Sequence, residues 1–202
     1  MKTITLTIAI VLLSILSIST TGYAAAKSNN IETVLSNISN FTDIEVNGNV
    51  ELYVSTGQTN NVKVYDSYYN QNALVQEQNG TLRVSSYKAQ KLVVWVTVAD
   101  LHSITATDNA VIKSFGKLSA IDFTLNLKNK ATAQLDLDVN NASIALNDNT
   151  RADLSGFAGE STTAVNPAAK LNVTKFIAAK NEEITASVAI ASLIAEDELI
   201  AL

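Results

Sequence analysis

The sequence predicts an all-β protein in which an antiparallel β segment leads into a right-handed, β-helix-like solenoid of about five coils. Two observations predict this fold. Apolar and polar residues alternate from residue 41 to residue 98, which is typical of strands with one buried face. After residue 100, apolar residues recur in columns about every twenty residues, which is typical of stacked coils.

The composition indicates a single ordered domain that covers residues 41–202. Of the 202 residues, 47% are hydrophobic and 16% are charged, whereas disordered chains combine low apolar content with high charge. No Pro-rich or Gly/Ser-rich stretch divides the chain. The formal net charge of -5 argues against a nucleic-acid partner, because phosphate binding depends on clustered Lys and Arg.

The N-terminus has the three parts of a signal peptide, which we assign to residues 1–26. Lys2 precedes an apolar stretch from Ile4 to Ile18, and small residues follow up to Ala26. Thr and Ser interrupt this stretch, which is shorter than the roughly 20 apolar residues of a spanning helix, so no membrane span is expected after cleavage near Ala26. The mature chain is therefore expected in the periplasm, on the outer surface or in the medium. Residues 27–40 are assigned to a polar N-terminal arm.

Residues 41–100 are predicted to be rich in hairpins. Tight turns need residues that accept a positive φ, and Asn47-Gly48-Asn49, Ser55-Thr56-Gly57 and Asn79-Gly80 provide them between alternating runs. The last of these predicts a hairpin with a two-residue turn. The run Leu92–Val98 is apolar on both faces, which indicates a strand covered on both sides, either as a central strand or by a second copy of the chain.

Residues 101–202 are predicted to form the coils. Each coil is too small to bury its own apolar side, so equivalent residues of successive coils are expected to stack into ladders. The ladder columns are Ile104-Leu125-Ile144-Thr163, Ala106-Leu127-Leu146-Val165, Ala110-Ala131-Thr150-Ala169-Ala189, Ile112-Ala133-Ala152-Leu171-Ala191 and Ser114-Leu135-Leu154-Val173-Leu193. Larger residues are assigned to wide interior positions, namely Phe115, Leu137, Phe157 and Phe176. A plain β-sandwich is the alternative fold.

Three stretches of the sequence resemble the head GIN domain, a family named as putative auto-transporter adhesins. They are Phe41–Gln58 (FTDIEVNGNVELYVSTGQ), Gly80–Val84 (GTLRV) and Val96–Ile104 (VTVADLHSI). The resemblance covers about residues 41–202, and it implies a β-helix-like fold, export in a Gram-negative bacterium and a surface or adhesion role. In place of the family's recurrent turn glycine, the corners carry Asn109, Asn129, Asp148 and Pro167. Asn and Asp accept left-handed backbone geometry, whereas Pro does not.

The residue content argues against an enzyme, a cofactor and a metal site. The chain has no Cys, and His102 is its one His, so a catalytic triad or an imidazole metal site would rest on a single residue. Strand geometry sends Asp100 and His102 to one side and Ser103 to the other, and we expect a surface histidine.

Acidic residues on the coils keep one enzymatic alternative open, because stacked carboxylates can hold a metal ion or cleave acidic polysaccharides. Asp136 and Asp138 flank Leu137 and share a face, and Asp153 of the next coil falls within one residue of the column of Gln134. The following coil has Asn172 in place of a further carboxylate, so a solvated polar face is the preferred interpretation. Whether this face binds an ion is left open.

The aromatic residues give the better candidate for a binding surface. We select Tyr65, Tyr68, Tyr69 and Trp95 as a ligand or partner surface, since such rings combine an apolar face with a polar tip. The alternative for the three tyrosines is a cap on the end of the solenoid.

The leading functional hypothesis is an exported surface or periplasmic binding or scaffold module, adhesin-like, that recognises a cell-surface glycan or protein. One alternative is a polysaccharide-active β-helix enzyme built on Asp136, Asp138, Asp153 and Arg151. The other is a structural homo-oligomer joined at the strand of Trp95.

Overall fold

The computed structural model describes residues 32–35, 38, 40–65 and 73–185, and it confirms an all-β protein. The strands of this part of the chain join into one 12-stranded sheet that curls into a half-barrel. In chain order the strands are β1 (Glu32–Val34), β2 (Asp43–Gly48), β3 (Val50–Thr56), β4 (Asn61–Tyr65), β5 (Ala73–Gln78), β6 (Thr81–Ser86), β7 (Leu92–Val98), β8 (Ser103–Thr107), β9 (Val111–Leu127), β10 (Thr132–Leu146), β11 (Arg151–Val165) and β12 (Lys170–Thr185). Within these ranges no helix is long and apolar enough to cross a membrane.

Several predicted features lie outside the described residues. They are the signal peptide of residues 1–26, residues 27–31, 36, 37 and 39 of the arm, Tyr68, Tyr69 and the last-coil positions Ala189, Ala191 and Leu193.

The strands form two rows, which the four long strands share. The β3 row runs β1–β4–β7–β3 and continues through the first residues of β9 to β12. The β2 row runs β5–β6–β2–β8 and continues through the last residues of the same four strands. β9 shows the sharing directly, because Val111–Ser114 pair with β3 and Thr124–Leu127 pair with β8. Apolar side chains of both rows point inward and form one core.

Three of the five predicted columns are present as parallel ladders over the described residues, whereas the column of Ser114, Leu135, Leu154 and Val173 is broken where the register shifts beside Leu135 and Leu154. Ile112 lies opposite Ala133, Ala133 opposite Ala152, and Ala152 opposite Leu171. The columns Ile104-Leu125-Ile144-Thr163 and Ala106-Leu127-Leu146-Val165 pair in the same way. Stacking like residues buries apolar area that one coil could not bury alone, and Ile112 and Ala152 are fully buried.

The prediction of an antiparallel segment over residues 41–100 is wrong for its central strands. β2 pairs in parallel with β6 and β8, and β3 pairs in parallel with β7 and β9. Among the described strands, antiparallel pairing joins β1 to β4, β4 to β7 and β5 to β6. Side chains alternate between faces in both kinds of pairing, so the pattern of apolar residues could not separate the two.

Of the three predicted hairpin turns, Asn79-Gly80 is confirmed. It joins β5 to β6 with Gln78 opposite Thr81, and its two residues have φ of 54° and 77°. The Gly48 turn, with φ of 85°, is instead a corner where the chain passes from the β2 row to the β3 row. The Gly57 turn joins β3 to β4, which pair with β7 on its two sides and not with each other.

Polar residues with left-handed backbone form the corners of the repeats. Asp108, Asn129 and Asp148 have φ of 64°, 62° and 57°. The left-handed residue of the first corner is therefore Asp108, whereas the sequence analysis assigned this corner to Asn109. The Asn129 side-chain amide donates to Asp108 Oδ1 at 2.8 Å, and its backbone N donates to Asp148 Oδ2 at 2.9 Å. These side chains tie successive corners together, which glycine could not do.

β7 is a central strand, which was one of the two explanations for its apolar run. Its core side alone is covered, so the prediction that it is covered on both sides is wrong. Its even-numbered residues are buried in the core, whereas Val93, Trp95 and Thr97 are half-buried on the outer side. β4 and β3 flank it. The outer side of this strand is therefore available to a ligand.

Candidate binding surface on the outer side of the sheet

Three aromatic residues meet on the outer side of the β3 row, and we call them the aromatic cluster: Tyr53 on β3, Trp95 on β7 and Phe115 on β9. Tyr53 lies directly opposite Trp95 on one side and Lys113 on the other. Tyr53 alternates with buried Leu52 and Val54, so strand geometry turns it outward. The cluster therefore combines two strands from residues 41–100, β3 and β7, with one strand from the repeats of residues 101–202, β9.

The rings contact one another in two geometries. Tyr53 and Trp95 are stacked, with ring centroids 4.5 Å apart and planes inclined by 15°. Trp95 and Phe115 meet edge to face at 5.4 Å and 62°. Each such pair contributes about 0.5–1.5 kcal/mol beyond the burial of its area. Phe115 nevertheless remains 65% exposed, so it offers most of its ring to an outside partner.

Charged groups fix Tyr53 from the side opposite Trp95. Lys113 Nζ donates to Glu51 Oε1 at 2.7 Å and lies 5.5 Å from the centre of the Tyr53 ring. Tyr53 Oη donates to the same Glu51 oxygen at 2.8 Å, and Lys91 Nζ is 3.9 Å from Oε2. The hydrogen bond from Lys113 lowers the pKa of Glu51, and Glu51 raises the pKa of Lys113. Both groups are therefore charged at neutral pH.

The predicted aromatic residues divide among three outcomes. Trp95 is at the centre of the cluster. Tyr65 is half-buried at the end of β4, opposite Val93, and so lies on the same outer side two residues from the position that faces Trp95. Tyr68 and Tyr69 lie outside the described residues.

Tyr53 was not among the predicted site residues, and the predicted position of Phe115 was wrong. Tyr53 occupies a polar-side position of an alternating run, a signal that could have found it. Phe115 was assigned to the interior, but it lies three residues after buried Ile112, so strand alternation turns its ring outward. Phe157 is likewise 45% exposed, whereas Leu137 is buried as expected.

The acidic residues of the coils do not converge. Arg151 holds Asp153 with two bonds of 2.9 and 3.1 Å, and Asn172 donates to the same carboxylate. Arg151 beside it lowers the pKa of Asp153. Asp153 does lie opposite Gln134, but Asp136 lies opposite Ser155, two positions further along the strand. Among the described residues no three His, Cys, Asp or Glu side chains are close enough to share a metal ion.

His102 is at the surface, as expected. Its Nε2 is 3.2 Å from Asp100 Oδ2, and both side chains are more than half exposed. The Ser103 hydroxyl turns away and donates to Asp43. The three sequence neighbours therefore do not form a triad.

Comparison with known proteins assigns the family and supports the fold. The family described as "Putative auto-transporter adhesin, head GIN domain" matches residues 40–201. No match to a curated protein was found.

Three bacterial crystal structures share the fold at low sequence identity. A putative adhesin from Parabacteroides distasonis is 13% identical with a TM-score of 0.57, over 75% of this chain and 76% of that one. A putative lipid binding protein from the same organism is 10% identical with a TM-score of 0.57 and the same coverage. A putative adhesin from Parabacteroides merdae is 16% identical with a TM-score of 0.53, over 75% of both chains. At these identities the likeness extends to the fold alone. The match over residues 40–201 places the chain in the head GIN domain family of putative auto-transporter adhesins.

Proposed function

We propose that the protein is an exported, non-catalytic binding module of the adhesin type, and that the aromatic cluster is the surface with which it holds a cell-surface glycan or protein. The observation that carries this proposal is Phe115, a large apolar ring that is 65% exposed while in contact with Trp95. Exposed aromatic anchors with a charged rim are typical of binding surfaces.

The rim supports the proposal because it is already ordered. Glu51, Lys113 and Tyr53 bond to one another, so little side-chain entropy is lost when a ligand docks beside them. Phe115 has no such restraint from polar groups, and its ring can stack on the apolar face of a sugar or enter a pocket of a partner protein. The engagement of Asp153 by Arg151 and Asn172 favours a binding role over catalysis at the coils.

Replacing Phe115 with Ala is expected to weaken ligand binding by about tenfold or more while leaving the fold intact, since hot-spot aromatic residues contribute about 2 kcal/mol or more. The ligand is first found by screening the secreted protein on a glycan array and against surface protein extracts. The affinity of both variants is then measured by calorimetry.

The matched control is Ile121→Ala, which also removes an exposed apolar side chain of β9, 69% exposed, away from the cluster. Equal losses in the two variants would refute the assignment of the surface. A dimer that dissociates on Phe115→Ala, measured by sedimentation, would instead assign the cluster to self-association.

We also propose the finer features of the fold and of export. The ladders continue as a right-handed solenoid of five coils, with Ala189, Ala191 and Leu193 in the last one. A cavity of about 410 Å³ lined by Leu171, Val173 and Phe176 at the β12 end supports this, because a further coil would fill it. An experimental structure with the opposite hand would contradict the right-handed solenoid. We further propose that residues 1–26 are removed on export, and N-terminal sequencing of the exported chain that shows them retained would contradict this.

A further inference from the structure

The two outer sides of the curled sheet carry opposite charge. From β4 to β12, the outward charged residues of the β3 row are the cations Lys63, Lys113, Arg151 and Lys170 and the acids Glu51 and Asp153, and the cation Lys91 directly precedes β7. On the β2 row, they are the acids Asp43, Glu45, Asp122, Glu160 and Glu182 and the cations Arg83 and Lys180. The whole chain has a formal net charge of -5, so the net charge of the cationic side is opposite in sign to that of the chain.

Each minority charge forms an ion pair on its own side, and this pairing leaves the net charge of each side unchanged. Glu51 pairs with Lys113 and Lys91, and Asp153 pairs with Arg151. On the other side Arg83 pairs with Glu45, and Lys180 pairs with Glu160. The next outward positions along the β3 row add Lys117 and Lys175 but also Asp136 and Asp138, so they leave the positive excess unchanged.

The cations are spread along the row instead of being gathered at one point. They recur on β4, β9, β11 and β12, and Lys91 lies at the start of β7. From β4 to β12 the row contains seven strands, and strands lie about 4.8 Å apart, so this part is roughly 29 Å long. A linear polymer that crosses these strands would meet a cation on β4, β9, β11 and β12 and a further one, Lys91, beside β7.

We infer that the β3 row, with the aromatic cluster in it, binds a linear anionic polysaccharide such as a chain of uronic acids. This inference rests on the proposed function, since it names the class of ligand for the same surface. The carboxylates of the polymer meet the row of Lys and Arg, and the apolar face of one sugar ring packs on Phe115. The flat, open surface of the sheet accepts a polymer that extends beyond both ends of the row.

The direct test uses polygalacturonate and its methyl-esterified form, which has the same backbone without the charge. Binding to polygalacturonate is expected to weaken as salt is raised from 0.05 to 0.5 M, because the screening length of exposed charges falls from roughly 14 Å to roughly 4 Å over this range. The esterified polymer is expected to bind about tenfold more weakly or not at all. Equal affinity for both polymers would overturn the inference.

A charge-matched pair of variants locates the site. Lys91→Gln with Lys170→Gln removes two cations from the β3 row, whereas Arg83→Gln with Lys180→Gln removes two from the β2 row. We expect about a tenfold loss of polygalacturonate affinity for the first variant and less than about a twofold loss for the second. Equal losses in the two variants would show that net charge, and not the β3 row, controls binding.

Two further readouts separate this inference from the proposed function. If Phe115→Ala abolishes binding to a neutral glycan or a protein and polygalacturonate does not bind, the proposed function stands and the polysaccharide inference fails. If Phe115→Ala leaves the binding of every ligand unchanged, the proposed function itself fails. Binding to phosphatidylglycerol vesicles without binding to polygalacturonate would assign the cationic side to a lipid surface and overturn the inference.

Discussion

Gly156→Ala is expected to destabilise the protein by about 3 kcal/mol or more. Gly156 lies within β11, opposite Leu137 of β10 and Phe176 of β12, with φ of 99°. A Cβ at this position would lie 2.0 Å from the Leu137 carbonyl oxygen and 2.7 Å from Asp136 Oδ1. The backbone of β10 would have to move, because both strands are held by the parallel ladder.

The control for Gly156→Ala is Gly116→Ala. Gly116 has φ of 82°, but a Cβ there would have no atom within 4 Å. This variant therefore meets only the conformational strain, about 1–2 kcal/mol. Urea unfolding followed by circular dichroism measures both free energies. Equal losses would show that the close approach of β10 and β11 at Gly156 is not as tight as described.

Ile112→Ala is expected to lower the free energy of unfolding by about 2–5 kcal/mol. Ile112 is fully buried between Leu52 of β3 and Ala133 of β10. Since Ala133 is small, no neighbouring side chain of the next coil can fill the cavity that truncation leaves.

The control for Ile112→Ala is Ile121→Ala, a truncation on the same strand at a site that is 69% exposed. Its effect is expected to stay within about 0.5 kcal/mol, as for most surface substitutions. Thermal unfolding of both variants checks the difference. Similar destabilisation by the two would contradict stacking of the coils on a buried column.

The repeat columns were predictable because the residues that stack on one another recur at a nearly constant spacing in the sequence. Ala133 and Ala152 are small since Ile112 and Leu171 lie above and below them, and this spacing can be read without coordinates. The corners were predictable to within one residue, as Asp108 in place of Asn109 shows. Asn and Asp signal a left-handed residue but not which of two neighbours adopts it.

The order of the first strands could not be predicted. β2 comes early in the chain, but it lies between β6 and β8, so its partners follow it by about forty and sixty residues. Strand alternation carries no information on which strand is the neighbour or on its direction. The aromatic cluster depends on this order, because Tyr53 meets Trp95 and Lys113 only when β3 lies between β7 and β9.

The outward position of Phe115 follows from simple alternation along β9. Ile112 is buried, so a regular strand turns Ser114 inward and turns Lys113 and Phe115 outward. The assignment of Phe115 to the interior followed the size of its side chain and not its position relative to Ile112. The signal was available in the sequence, because Ile112 belongs to one of the predicted ladder columns.

The most direct test of the binding surface is the fluorescence of Trp95, the only Trp in the chain. Trp95 contacts both Tyr53 and Phe115, so a ligand on the aromatic cluster must change its surroundings. We predict a saturable change in emission on titration with the ligand, at the affinity found by calorimetry, and its loss in Phe115→Ala. Calorimetric binding at the same affinity with unchanged Trp95 emission would place the ligand elsewhere and contradict the account.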